Sequence, residues 1–168
     1  MRITNIIILF FFIINCNAQI DNLDQIRKTY LESDITEENI QKLISTCEDY
    51  KSKNDSIIYA YRTVADLMLI KYKYNPFYKL KLFTEYSRKL DLIVKNNFNN
   101  IEIRFLRYCV QKRTPRFLGY NDNLELDYQF IIQNIEKQSK DLQEFINSIL
   151  KSLETNKACI NISIQIRC

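Results

Sequence analysis

Arg104, Arg107, Lys112, Arg113 and Arg116 place five cations within thirteen residues, and Asp122, Glu125 and Asp127 follow at once. Arg104, Arg107 and Gln111 stand three and four apart, which sets them on one stripe of a helix. Guanidinium forks suit bidentate contact with carboxylate or phosphate. One reading is therefore an anion or carboxylate site drawn from Arg104, Arg107, Arg113, Arg116, Tyr120 and Asp127. The plainer reading pairs the end of one helix with the start of its antiparallel successor. That sets Arg113 and Arg116 near Asp122 and Glu125, as ion pairs of small energetic worth.

What else the chain can do chemically is narrowed by what it lacks. It has no histidine, which removes Ser-His-Asp and Cys-His nucleophiles, histidine zinc sites and the commonest general base near neutral pH. Gly119 is its only glycine, so neither common glycine-rich phosphate cradle can form. A carboxylate pair such as Glu125 with Asp127 or Glu102 can in principle hydrolyse a glycoside. Residues two apart on a helix do not face each other, however, and acids in a first turn serve the helix dipole. The cysteines lack the close spacing of a zinc site, and no cofactor is implied. Tyr59, Tyr61, Tyr72, Tyr74 and Tyr78 form the other excess. They suit either recognition of a peptide or glycan, or core packing with the hydroxyl at the surface.

The elements that must position these groups are helices. Leu23, Ile26 and Tyr30 give a first helix over Gln19–Glu32. Thr36 caps a second, with Glu37 and Glu38 in its first turn and Ile35 and Ile40 as a hydrophobic staple. Asn54 or Asp55 caps a third through Lys73, apolar around most of its girth and hence central. Asn75-Pro76 opens a fourth, with the proline at the first helical position. It carries Leu80, Phe83, Ser87, Leu90 and Val94. The polar break Lys95–Asn100 precedes a fifth, beginning at Ile101 and ended by Pro115. In "TPRFLGYND", Gly119 takes a positive φ, Phe117, Leu118 and Tyr120 plug the loop onto the core, and Asn121 or Asp122 caps a sixth helix. Ser139 caps a seventh. Seven helices with short connections predict an all-α fold of antiparallel hairpins, stacked as a short tetratricopeptide-like array or a compact bundle. The apolar stripes place Cys47 and Cys109 in the core.

Both ends differ from this pattern. Met1, Arg2, the apolar run Ile6–Ile14 and the small residues before Gln19 read as a signal peptide over 1–18, so the expected domains are a leader, a helical unit over 19–154 and a tail over 155–168. Export permits disulfides. Cys16 offers a lipidated alternative. Without Arg2 the balance is 23 basic against 20 acidic residues, or +3, too weak to imply nucleic acid. Along Ala158–Cys168 isoleucine alternates with polar residues, a strand period. The tail bends, pairs with a partner or is disordered.

The stretches "NNIEIRFLR", "TPRFLGYND" and "LELDYQFI", with Asn75-Pro76 before them and Gln111 between, carry a further signal. Over Asn75–Ile132 the chain resembles small exported proteins of Gram-negative bacteria, patterned N-P, then N-x-E-I-R-F-x-R, Q, P-x-F-L-G-Y and D-x-x-F-I. The resemblance covers about a third of the chain. It implies export and a tetratricopeptide-like arrangement, and it supplies no catalytic residue. The expected role is a non-catalytic scaffold or interaction module of the periplasm or cell surface, binding a protein or peptide partner. The alternatives are a small enzyme or anion-binding protein using the Arg104/Arg107 region, and an envelope protein anchored through Cys16.

Overall fold

A computed structural model describes residues 23–33, 36–50 and 55–154. The leader, Cys16, Ile35, Asn54 and the tail with Cys159 and Cys168 lie outside the described residues, so the expectations placed on them are not addressed by it. The described chain is all-α. Its helices are α1 over 23–32, α2 Glu37–Asp49, α3 Ser56–Leu69, α4 Pro76–Asn96, α5 Ile101–Arg113, α6 Leu124–Asn134 and α7 Lys140–Glu154.

Local chemistry fixes most of the boundaries. Thr36, Asp55, Asn75 and Asn100 each accept a backbone N–H with the side chain at the start of a helix, satisfying a donor that the helix itself leaves open. Ser139 does the same for Leu142 at 3.4 Å. The polar run before α5 proves to be two devices. Asn97 donates from its side chain to the Ile93 carbonyl at 2.8 Å, finishing α4, and Asn100 starts α5 by accepting from Ile103 N–H at 3.0 Å.

Three expectations are corrected. The third helix gives way at Leu69 to a 3₁₀ turn over Ile70–Tyr72, and Lys73 is already extended. The chain must open there to enter the Asn75-Pro76 start, and the Lys79 ammonium binds the freed Lys71 carbonyl at 3.2 Å. The start of α6 falls at Asn123 rather than Asn121 or Asp122, and no side chain of its own caps it. Gln111 of α5 supplies the acceptor instead, taking the Asn123 N–H on Oε1 at 3.0 Å. In the corner between α5 and α6, Leu118 and Tyr120 pack on the core as expected, but Phe117 is exposed. A 3₁₀ turn over Arg116–Leu118 rotates it outward before Gly119 reverses the chain at φ 64°. A Cβ on Gly119 would meet no atom within 4 Å, so the backbone conformation alone calls for glycine there.

The odd-numbered helices form the interior. Tyr30 of α1, Tyr61 of α3, Phe105 of α5 and Phe145 of α7 converge, with ring centroids 5.3 Å apart for Tyr30 and Tyr61, 6.0 Å for Tyr30 and Phe145, and 5.9 Å for Phe105 and Phe145. The even helices α2, α4 and α6 pack against α3 and α5. The near absence of a polar face on α3 follows from this central place: Ile58, Ala60, Tyr61, Val64, Ala65, Leu67 and Met68 are all buried. The thiols of Cys47 and Cys109 are free and buried, as their stripes predict.

Candidate functional site

Helix α5 is buried almost all round, yet it carries Glu102, Arg107 and Gln111 among its buried residues. Each polar group must find a partner inside the protein, since an unpaired buried charge costs several kcal/mol. Two networks result.

The first lies at the start of α5. Arg27 of α1 grips Glu102 bidentately, Nε to Oε1 and a terminal nitrogen to Oε2, both at 2.8 Å. Tyr61 of α3 donates its hydroxyl to Oε1 at 2.7 Å, and Arg27 also reaches Asp24 at 2.7 Å. Burial works against the Arg27 charge, but the Glu102 hydrogen bonds outweigh it and raise its pKa. Burial, with the Glu102 charge second, holds the Tyr61 phenol well above its ordinary range. Neither group exchanges protons near neutral pH.

The second network lies further along the same helix. Asp127 of α6 is fully buried and takes four hydrogen bonds: Arg104 Nε at 2.8 Å, two from Arg107 at 2.7 and 2.9 Å, and Gln111 Nε2 at 3.2 Å. Arg104 also donates to the Leu126 carbonyl at 3.0 Å and lies over the Phe130 ring at 4.1 Å. From α4, Asp91 accepts from Arg107 at 3.2 Å and from the Tyr120 hydroxyl at 3.0 Å. Burial opposes the Arg107 charge, and its hydrogen bonds to Asp127 and Asp91 more than compensate. Burial also raises the Tyr120 phenol, reinforced by the Asp91 charge.

Four of the six candidate residues, Arg104, Arg107, Tyr120 and Asp127, thus meet in one cluster. Arg113 is half-buried at the end of α5, where its charge offsets part of the effect of burial on Cys109. Arg116 is exposed. Glu125 accepts from Gln129 of its own helix at 2.7 Å, and of the ion pairs expected from Arg113 and Arg116 to Asp122 and Glu125, Arg116 forms none with either acid. The tie between α5 and α6 runs instead through Asp127. Tyr61, one of the tyrosine excess, and Glu102, one of the conceivable carboxylates, are partners; Arg27 joins them and Asp91 joins the second cluster, and sequence reasoning misses both. Asp91 left one trace, since it follows Ser87 by four on the inward stripe of α4.

A different arrangement opens to solvent between α2, α3 and α4. Cys47, Glu48, Asp55, Ile58, Tyr59, Arg62, Asp66 and Lys89 line a cleft of about 290 Å³. Arg62 stands between two carboxylates, bonded to Glu48 and, through Nε at 3.3 Å, to Asp66. Burial raises Asp66 above the usual carboxylate value, and Arg62 offsets this only in part. Burial likewise pushes the Cys47 thiol up to about 12, which leaves it a poor nucleophile. Three carboxylates face two cations here, a balance able to receive hydrogen-bond donors. Among the described residues no group of three or more acids and cysteines could hold a metal ion, and no helix is long and apolar enough to cross a membrane. Comparison of the chain with protein-family models, with curated proteins and with solved structures finds no match in any of the three.

Proposed function

We propose that the chain is a non-catalytic helical interaction module that binds a protein or peptide partner in the cleft between α2, α3 and α4. The observation that carries this is the complete occupation of Asp127 by Arg104, Arg107 and Gln111. Charges spent on one another inside a core brace the fold and have no open valence for a substrate. The reading is also supported by the absence of histidine and by the partly desolvated, still open cleft at Asp66. Exposed donors of a passing peptide, a lysine or a backbone amide, are the groups such a cleft suits.

The hydrophobic leader and the resemblance over Asn75–Ile132 support export to the periplasm or cell surface, and the hairpin succession supports a tetratricopeptide-like array. The test is cross-linking with mass spectrometry on the envelope of the producing cell. Links from Lys89 to one recurring partner segment, lost in a folded Asp66→Ala variant, are expected. Links scattered evenly over the surface lysines, unchanged by that variant, would overturn the proposal.

A further inference from the structure

Residues 67–84 contain Lys71, Lys73, Lys79 and Lys81, five aromatic residues and no acid. They form the corner where α3 turns into α4. Lys79 is buried and bound to the Lys71 carbonyl, and Lys71 lies over the Tyr72 ring, so these two serve the corner itself. Lys73 and Lys81 point outward without an ion-pair partner among the described residues. Tyr74 is 101% exposed and Phe77 83%, with Tyr78 and Leu80 also exposed. Phe77, Leu80 and Lys81 share one outward face, being three and four apart, and Tyr74 stands just before the helix, four residues from Tyr78.

Isolated exposed apolar residues are ordinary, but four neighbours at one protruding corner, rimmed by cations, mark a contact surface. Exposure as complete as that of Tyr74 means a convex tip, which does not wrap a peptide or a sugar. It suits insertion into something soft. The charge gives the second half of the argument. Two lysines with no ion-pair partner among the described residues and the positive end of the 21-residue helix α4 face outward together; of the flanking acids, Asp66 is held by Arg62 and Glu85 lies a turn beyond Lys81. Tyrosine and phenylalanine settle at the level of lipid headgroups, while lysine ammonium groups reach anionic phosphates there.

We infer that the α3–α4 corner docks on an anionic lipid surface, with Tyr74, Phe77 and Leu80 entering the headgroup layer and Lys73 and Lys81 meeting phosphate. This contact is peripheral and does not depend on the cleft proposed above, which lies on other residues.

The chain contains no tryptophan, so Phe77→Trp places a single reporter at the corner. With the full chain carrying this change, vesicles of mixed phosphatidylglycerol and phosphatidylcholine are expected to shift its emission to the blue and to carry it down on sedimentation. Vesicles of phosphatidylcholine alone should do so weakly, and added salt should release the protein. Lys73→Gln with Lys81→Gln in the same reporter chain should weaken partitioning roughly thirtyfold, on the order of fivefold for each lysine. Tyr74→Ser should weaken it while leaving the salt dependence in place. All three sites are exposed, so circular dichroism should show the fold unchanged. Emission indifferent to anionic vesicles, or sedimentation unaffected by the lysine changes, would overturn the inference. So would a blue shift that appears without lipid as protein concentration rises, because the corner would then be covered by a second copy.

Discussion

Asp127 shows how one side chain can decide the fate of several others. Its carboxylate is the common acceptor for two arginines and a glutamine, so its removal leaves Arg107 with Asp91 as its remaining carboxylate and Arg104 with only the Leu126 carbonyl and the Phe130 ring. We predict that Asp127→Ala destabilises the protein by about 3–5 kcal/mol, the usual cost of breaking a buried pair from one side, as read from the urea midpoint. A loss below about 1 kcal/mol, the scale of an exposed pair, would show that water reaches the cluster. This cluster was partly legible in the chain, because Arg104, Arg107 and Gln111 share a stripe and Asp127 follows within one hairpin. The pair of Arg27 with Glu102 was not. Those residues are separated by 75 positions, and helical periodicity carries no information about which distant helix will face which.

Helix boundaries answer to nearer causes, and asparagine sets several of them. Asn75 and Asn100 each spend one side-chain oxygen on a backbone donor three residues ahead. Asn100 matters most, since it begins the helix that bears both charge networks. Asn100→Ala is predicted to cost about 1 kcal/mol, measured as a lowered melting temperature, with Asn100→Ser restoring most of it. Caps of this kind are visible from sequence because donor and acceptor lie within a single turn. The start of α6 escaped that logic, its amide being satisfied by Gln111 from the preceding helix. Phe117 escaped it too, because the short 3₁₀ turn beside Gly119 sets its direction and no apolar period extends through three residues.

At the scale of the molecule, the described thiols Cys47 and Cys109 and the phenols of Tyr61, Tyr108 and Tyr120 shift in one direction. Burial raises Cys47 and Cys109 from 9.0 to about 12, and Tyr108 from 10.0 to about 12. A group whose folded pKa is raised contributes stability that is fully present below its unfolded value and is lost as pH rises through the folded one. Stability should therefore hold up to about pH 9 and decline between pH 9 and 12, followed by urea denaturation across that range. Replacing both cysteines with alanine should make the decline shallower. An unchanged slope in that variant would assign the alkaline loss to the tyrosines alone. The all-helical class and the central place of α3 could be read from apolar spacing, whereas the meeting of all four odd helices could not, since it depends on how hairpins lie across one another.

That meeting also has a consequence in time. Phe145 touches both Tyr30 and Tyr61 and packs edge-on to Phe105, and it belongs to the last helix of the described chain. A polypeptide made from its amino end can assemble its early hairpins, but the ring cluster at its centre stays open until α7 has been synthesised. The order of residues thus leaves closure of the ring cluster to the last described helix.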